Sequence, residues 1–156
     1  MASSKQTPNF APTLQNKKAK FEYHFIDVYE AGIIFTGTEV KSVRLSKVQL
    51  GDAYCYFNRG ELFIKEMHIS PYEFGSIANS EPRRERKLLL KRKELEKLRS
   101  KSEEKGLTII PVKLYFTDRG IVKLQIALAQ GKKLFDKRND IKERDAQRVA
   151  QRGYEE

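Results

Sequence analysis

The sequence predicts a mainly β protein: a small closed or nearly closed antiparallel barrel of about six strands, with peripheral helices and a disordered C-terminal tail. Three observations carry that prediction. Asn58-Arg59-Gly60 and Asp118-Arg119-Gly120 each separate two runs of apolar, aromatic and β-branched residues, the signal of a Gly-containing three-residue hairpin. Val122, Leu124, Ile126 and Leu128 alternate with Lys123, Gln125 and Ala127, as a half-buried strand requires. At 156 residues the chain suffices for one domain and a tail, hardly for two.

Element by element, residues 21–29 read as a strand ending at Ala31-Gly32, and residues 32–37 as a second short strand. Residues 38–45 suit a short helix with Val40 and Val43 inward. Residues 53–57 and 61–69 form the first hairpin, and residues 107–117 and 121–129 the second, with Pro111 marking a break or an edge. Between the hairpins the pattern predicts one helix, from Ser80 as N-cap to Gly106 as stop, with Leu88, Leu95 and Leu98 on its buried face and Leu89 and Leu90 pointing away. Residues 131–156 have helix-forming composition but too sparse an apolar set to fold alone, so they are expected to stay disordered until they dock. The domain reading is a flexible segment 1–15, a barrel with an inserted basic helix over 16–130, and a basic tail over 131–156.

Composition closes several function classes. The single cysteine, Cys55, excludes a disulfide framework and a Cys-cluster zinc site, and it suits a reducing compartment. The longest nearly apolar runs, 31–35 and 107–112, are too short to span a bilayer. The first twenty residues are polar and lack the apolar core of a secretory signal. The expectation is a cytoplasmic protein with no membrane contact. His24 and His68 have no neighbour at ligand spacing, residues 32–38 lack the lysine of a phosphate loop, and no nucleophile–base pattern occurs. Nothing assembles a catalytic constellation, so neither an enzyme nor a metal or cofactor is expected.

Charge points elsewhere. Thirty-one Lys and Arg against 21 Asp and Glu give a net charge of +10. The excess is uneven: 21–80, the strand-like body, is mildly acidic, while 1–20, 81–105 and the tail are basic. A compact scaffold with basic contact elements fits a polyanionic partner. The run Arg83-Arg84-Glu85-Arg86-Lys87-Leu88-Leu89-Leu90-Lys91-Arg92-Lys93 is denser in cations than an ordinary wet helix face. With its leftover leucines it suits phosphate contact plus stacking on unpaired bases. The aromatic residues Tyr54, Tyr56, Tyr72 and Phe74 read mostly as core, with RNA stacking the lesser reading. Gly131-Lys132-Lys133-Leu134-Phe135-Asp136-Lys137-Arg138 joins a flexible glycine to cations and a Leu-Phe pair, which favours a tail that folds on an anionic surface over an idle one. A general RNA-binding barrel module is the alternative on these grounds.

Taken in order, several motifs resemble the SmpB family of SsrA-binding proteins. They are Asn16-Lys17-Lys18-Ala19, Tyr29-Glu30-Ala31-Gly32, the stretch Gly37-Thr38-Glu39-Val40-Lys41-Ser42-Val43-Arg44, Arg86-Lys87-Leu88-Leu89-Leu90, Gly106-Leu107-Thr108, and Gly131-Lys132-Lys133 with Asp136-Lys137-Arg138. The resemblance spans roughly residues 14–150. It implies an OB-like barrel that binds the tRNA-like domain of transfer-messenger RNA and brings it to stalled ribosomes for trans-translation. It also implies that the tail probes the empty mRNA channel and the small-subunit decoding centre, and that elongation factor Tu joins through the alanylated RNA. By position it assigns RNA binding to Asn16, Glu30, Leu89 and Lys123. With the basic residues read above, the expected RNA set also includes Lys17, Lys18, Lys41, Arg83, Arg86, Lys87 and Leu90. The expected ribosomal tail set is Gly131, Lys132, Lys133, Phe135, Asp136, Lys137 and Arg138. Ser80, Lys91 and Phe135 depart from the family pattern, and Phe135 cannot donate the hydrogen bond of the Tyr or His usual there.

Overall fold

The computed structural model describes residues 12–74, 79–104, 106–132 and 134–155, except the side chains at 134–136, 140 and 150–155. Residues 1–11 of the expected flexible segment, and Lys133, lie outside this set. The described chain runs β1 (Leu14–Gln15), α1 (Lys17–Glu22), β2 (Tyr23–Ile33), α2 (Gly37–Arg44), β3 (Val48–Gln49), β4 (Tyr54–Asn58), β5 (Glu61–Lys65) and β6 (His68–Ile69). It continues through β7 (Arg86–Leu89), α3 (Arg92–Ser102), β8 (Leu107–Phe116), β9 (Val122–Gly131) and α4 (Leu134–Glu155).

The sheet closes. Its strand order β1-β8-β4-β5-β7-β2-β9, with a further β8–β9 pairing, makes a ring of β8, β4, β5, β7, β2 and β9, all antiparallel. The predicted barrel of about six strands is therefore present, and closure removes the open edges on which other chains would pair. Its interior holds Leu62, Ile64, Leu88, Leu114, Leu124, Ile126 and Leu128, each at most 2% exposed. Cys55 faces the same core, where burial pushes its thiol pKa up and keeps it protonated.

Three local expectations change. Ala31-Gly32 is not a turn: β2 runs straight through it, because β9 and β7 pair with it on both sides (Gly32 opposite Lys123 and Leu89). The first hairpin turns in two residues rather than three, with Arg59 at φ 52° and Gly60 at φ +79° between the paired Asn58 and Glu61. The helix expected over residues 80–106 begins only at Arg92. Its first part contains β7, which fills the gap between β5 and β2. Leu98, at 0% exposed, still anchors α3 to the core, and Lys101 ties its last turn to Asp27 of β2 at 2.5 Å.

Pro111 does interrupt its strand: the β8–β9 register shifts between Pro111 and Lys113. Asn16 takes up the carbonyls this region leaves over. Its backbone N–H donates to Val112 O at 2.8 Å, and its Nδ2 donates to Pro111 O at 2.9 Å and Leu50 O at 3.3 Å. Its Oδ1 meanwhile accepts from Ala19 N at 3.2 Å and so caps α1. Helix α1 then lies on the outside of the barrel, with Ala19 in a small buried cluster with Ile110 and Ala129.

The tail segment is helical here, and it finds its docking surface on the protein itself. Lys137 Nζ lies 5.9 Å and Arg144 Cζ 5.7 Å from the ring centre of Phe21 on α1. A helix with so few apolar side chains needs such a surface.

Candidate nucleic-acid interface

Alternation along β7 decides which basic-run residues face out. Arg86 and Leu88 point inward and Lys87 and Leu89 outward, the period of two that a strand imposes. Leu89 is 49% exposed on the outer face. Directly across β2 from it lies Gly32, and across from Gly32 lies Lys123 of β9. Glu30, two residues before Gly32, shares that face. Together Val28, Tyr29, Glu30, Leu89, Leu90, Lys91, Glu94 and Lys123 line an open cleft of about 620 Å³.

Gly32 lies between Leu89 and Lys123 in the sheet, and a Cβ there would meet the Leu89 Cβ at 3.4 Å, an ordinary packing distance. Neither Glu30 nor Lys123 has an ion-pair partner among the described residues. Lys91 and Glu94, on the same lining, have no ion pair among the described residues either, so the cleft offers two cations, two carboxylates and exposed apolar surface from Leu89 and Val28. Charge, hydrogen-bond acceptance and stacking are all available in one place.

Arg86 does not belong to this surface. It is 1% exposed, and its Nε donates to Glu39 Oε2 at 2.6 Å. Its remaining nitrogens reach Met67 O at 2.8 Å, Arg84 O at 3.1 Å and Pro82 O at 3.1 Å. Glu39 also accepts from Arg84 at 2.5 Å and from Thr36 N at 2.9 Å, the second bond being half of the α2 capping box. Burial opposes charge on Glu39. The hydrogen bonds from Arg84, Thr36 and Arg86 outweigh it and hold the carboxyl below its usual range. Here the cations of the basic run serve the fold. Asn16 is likewise 4% exposed, with its amide bonded to Pro111, Leu50 and Ala19, so its side chain positions α1 against β8.

The remaining expected residues spread around the barrel. Lys87 is half-buried and pairs with Glu61 at 3.0 Å. Arg83 pairs with Glu66 at 3.0 Å, and Lys18 with Asp52 at 3.2 Å. Lys41 is exposed, 5.2 Å from the ring centre of Tyr72. Leu90 packs partly on the core and partly lines the cleft. Lys17 and Lys132 line a second opening of about 420 Å³ with Lys20, Phe21, Glu143, Arg144 and Gln147, where α1 meets α4. In the tail set, Gly131 ends β9 opposite Tyr23, Lys137 lies over Phe21 and Arg138 is exposed. The side chains of Phe135 and Asp136 lie outside the described set. Two residues escape the sequence reading, Lys113 and Tyr115, outward neighbours on β8. The alternation Lys113-Leu114-Tyr115-Phe116 is the available signal for both.

Among the described residues, no group of three or more His, Cys, Asp or Glu could hold a metal ion, and no helix is long and apolar enough to cross a membrane.

Known proteins share both sequence and architecture with this chain. The model of the SmpB protein family matches residues 13–156. The SsrA-binding protein of Phocaeicola vulgatus is 52% identical over 141 residues, 90% of this chain and 94% of that protein. The SsrA-binding protein of Chlorobaculum tepidum is 46% identical over 151 residues, 97% and 96% of the two chains. A solved chain described under "tmRNA-SmpB: a journey to the center of the bacterial ribosome" superposes with a TM-score of 0.68 at 49% identity, covering 80% of this chain and 87% of its own.

Proposed function

Because the chain belongs to the SmpB family, we propose that it binds the tRNA-like domain of transfer-messenger RNA and accompanies it to stalled ribosomes in trans-translation. One observation carries this reading beyond the family. Glu30, Leu89 and Lys123 are far apart in the sequence, yet they line a single open cleft. Lys123 offers a phosphate contact and Leu89 an apolar face for a ribose or an unstacked base. Glu30 accepts hydrogen bonds from base amino groups or a 2′-OH, which explains a carboxylate on an RNA surface. A cleft that mixes these three kinds of contact selects shape as well as charge.

The protein's part is binding; it makes and breaks no bond. The tail, with Gly131, Lys132, Lys133, Phe135, Asp136, Lys137 and Arg138, leaves its place against α1 and enters the empty mRNA channel, where its helix lies beside the small-subunit decoding centre. Elongation factor Tu joins through the alanylated RNA.

The test is competition for this protein between transfer-messenger RNA and an equal excess of ordinary tRNA at near-physiological salt. Preference for the former that persists as salt rises is the expected result. Equal binding that collapses for both RNAs together would leave a general RNA-binding barrel held by charge alone. Deleting residues 131–156 probes the tail: rescue of stalled ribosomes is lost while RNA binding is largely kept. A general binder would lose only a salt-dependent increment.

A further inference from the structure

The outer face that carries Glu30 and Lys123 does not end at β9. Lys123 lies directly opposite Tyr115 on β8, Gln125 opposite Lys113, and Lys113 opposite Gln15 on β1. Leu114 and Leu124 between them are at most 1% exposed, so residues 113, 115, 123 and 125 all point outward. One line across four strands therefore reads Leu89, Gly32, Lys123, Tyr115.

Tyr115 is half-buried, and the Lys113 ammonium lies 5.2 Å from its ring centre. A second outward tyrosine makes a useful contrast. Tyr56 has Lys65 4.9 Å from its ring centre, but its hydroxyl bonds to Glu85, and Lys65 pairs with that same carboxylate at 3.2 Å. That group is closed on itself. Lys113, by contrast, has no ion-pair partner among the described residues, and the direct neighbour of Tyr115 is the free cation Lys123. The unsatisfied cations thus flank one aromatic ring and not the other.

We propose that Tyr115 is a stacking platform for an unpaired nucleotide of the bound RNA, with Lys113 and Lys123 on the phosphates to either side. The proposal rests on the RNA-binding reading of the Glu30 cleft and extends that cleft across β9. An incoming phosphate takes the Lys113 ammonium from the ring, and a base takes its place, an exchange of a cation–π contact for an ion pair plus stacking.

The chain contains no tryptophan, so Tyr115→Trp in the full-length protein provides a single fluorescent reporter. It is titrated with the tRNA-like domain of transfer-messenger RNA while anisotropy of the labelled RNA follows binding independently. Tryptophan quenching that saturates at the anisotropy midpoint is expected, with little change for Tyr56→Trp. Binding seen by anisotropy with unchanged emission from the Tyr115→Trp reporter would overturn the platform and leave the RNA reading standing. Absence of binding by the unaltered protein would sink both. Tyr115→Ala adds a second measure: affinity falls by about 5- to 150-fold, the range for one lost stacked base. The salt slope should not change, whereas Lys113→Ala should reduce it by roughly 0.7 to 0.9. Equal affinity of Tyr115→Ala and the parent would also overturn the proposal.

Discussion

The outer face of β2, β9 and β8 has two halves built from the same strands. Along β9 the outward positions are Lys123, Gln125, Ala127 and Ala129. The last two are fully buried and Ala129 lies in the α1 cluster, while the first two stay partly open beside Glu30. Small side chains let a helix approach; long polar ones keep the sheet wet. The contrast teaches that one strand can serve packing at one end and recognition at the other, and that side-chain size marks where the change occurs.

Substitutions on the two halves should therefore fail differently. Ala129→Asp places an unpaired charge in the buried half and should cost about 3–5 kcal/mol, with denaturant unfolding as the measure. Gln125→Asp, on the open half of the same strand, should leave stability within about 0.5 kcal/mol and weaken RNA binding instead. Equal loss of stability from both would erase the distinction.

A comparable cost is expected at the buried Glu39–Arg86 pair. Glu39→Gln removes the countercharge of the buried Arg86, and breaking such a pair costs about 3–5 kcal/mol. The pH profile sharpens this. The folded Glu39 carboxyl is held below its ordinary 4.5, so the unfolded chain binds the proton first as pH falls. The pair's contribution is complete above 4.5 and disappears as pH drops through the folded value. Acid unfolding curves of the parent should show this loss, and those of Glu39→Gln should be flatter through the same window.

Asn16→Ala tests a residue that sequence resemblance assigns to RNA. Removing its amide strands the Pro111 and Leu50 carbonyls, so a stability loss of about 1–3 kcal/mol is expected. RNA affinity, measured well below the unfolding transition, should change less than for Lys123→Glu. That charge reversal on the open half should leave the melting temperature nearly unchanged. It should weaken binding by about tenfold or more at low salt, with the deficit shrinking as salt rises.

Much of this fold is legible in short stretches of residues. Gly60 and Gly120 mark the two hairpins, whereas Thr36, read as part of a short strand, caps α2 together with Glu39. The alternation in β9 identifies Lys123 as outward. For Leu89 the local pattern reaches the right side for the wrong reason: it makes the residue surplus on a helix, whereas it is an outward position of a strand. The same helical reading puts Arg86 on the surface, where it is not.

Amino-acid order alone determined what local chemistry can determine: the hairpin glycines, strand alternation, the uneven charge, and the family motifs that point to RNA. Only the tertiary structure decided whether residues 86–89 are helix or strand, because their composition permits both and the open place between β5 and β2 selects one. It also turned Arg86 inward to Glu39, set Asn16 into the β8 irregularity, and brought Glu30, Leu89 and Lys123 to one cleft. The physical reason is common to all of these. Strand pairing satisfies backbone groups that are distant in sequence, and no local pattern records which distant partner will be there.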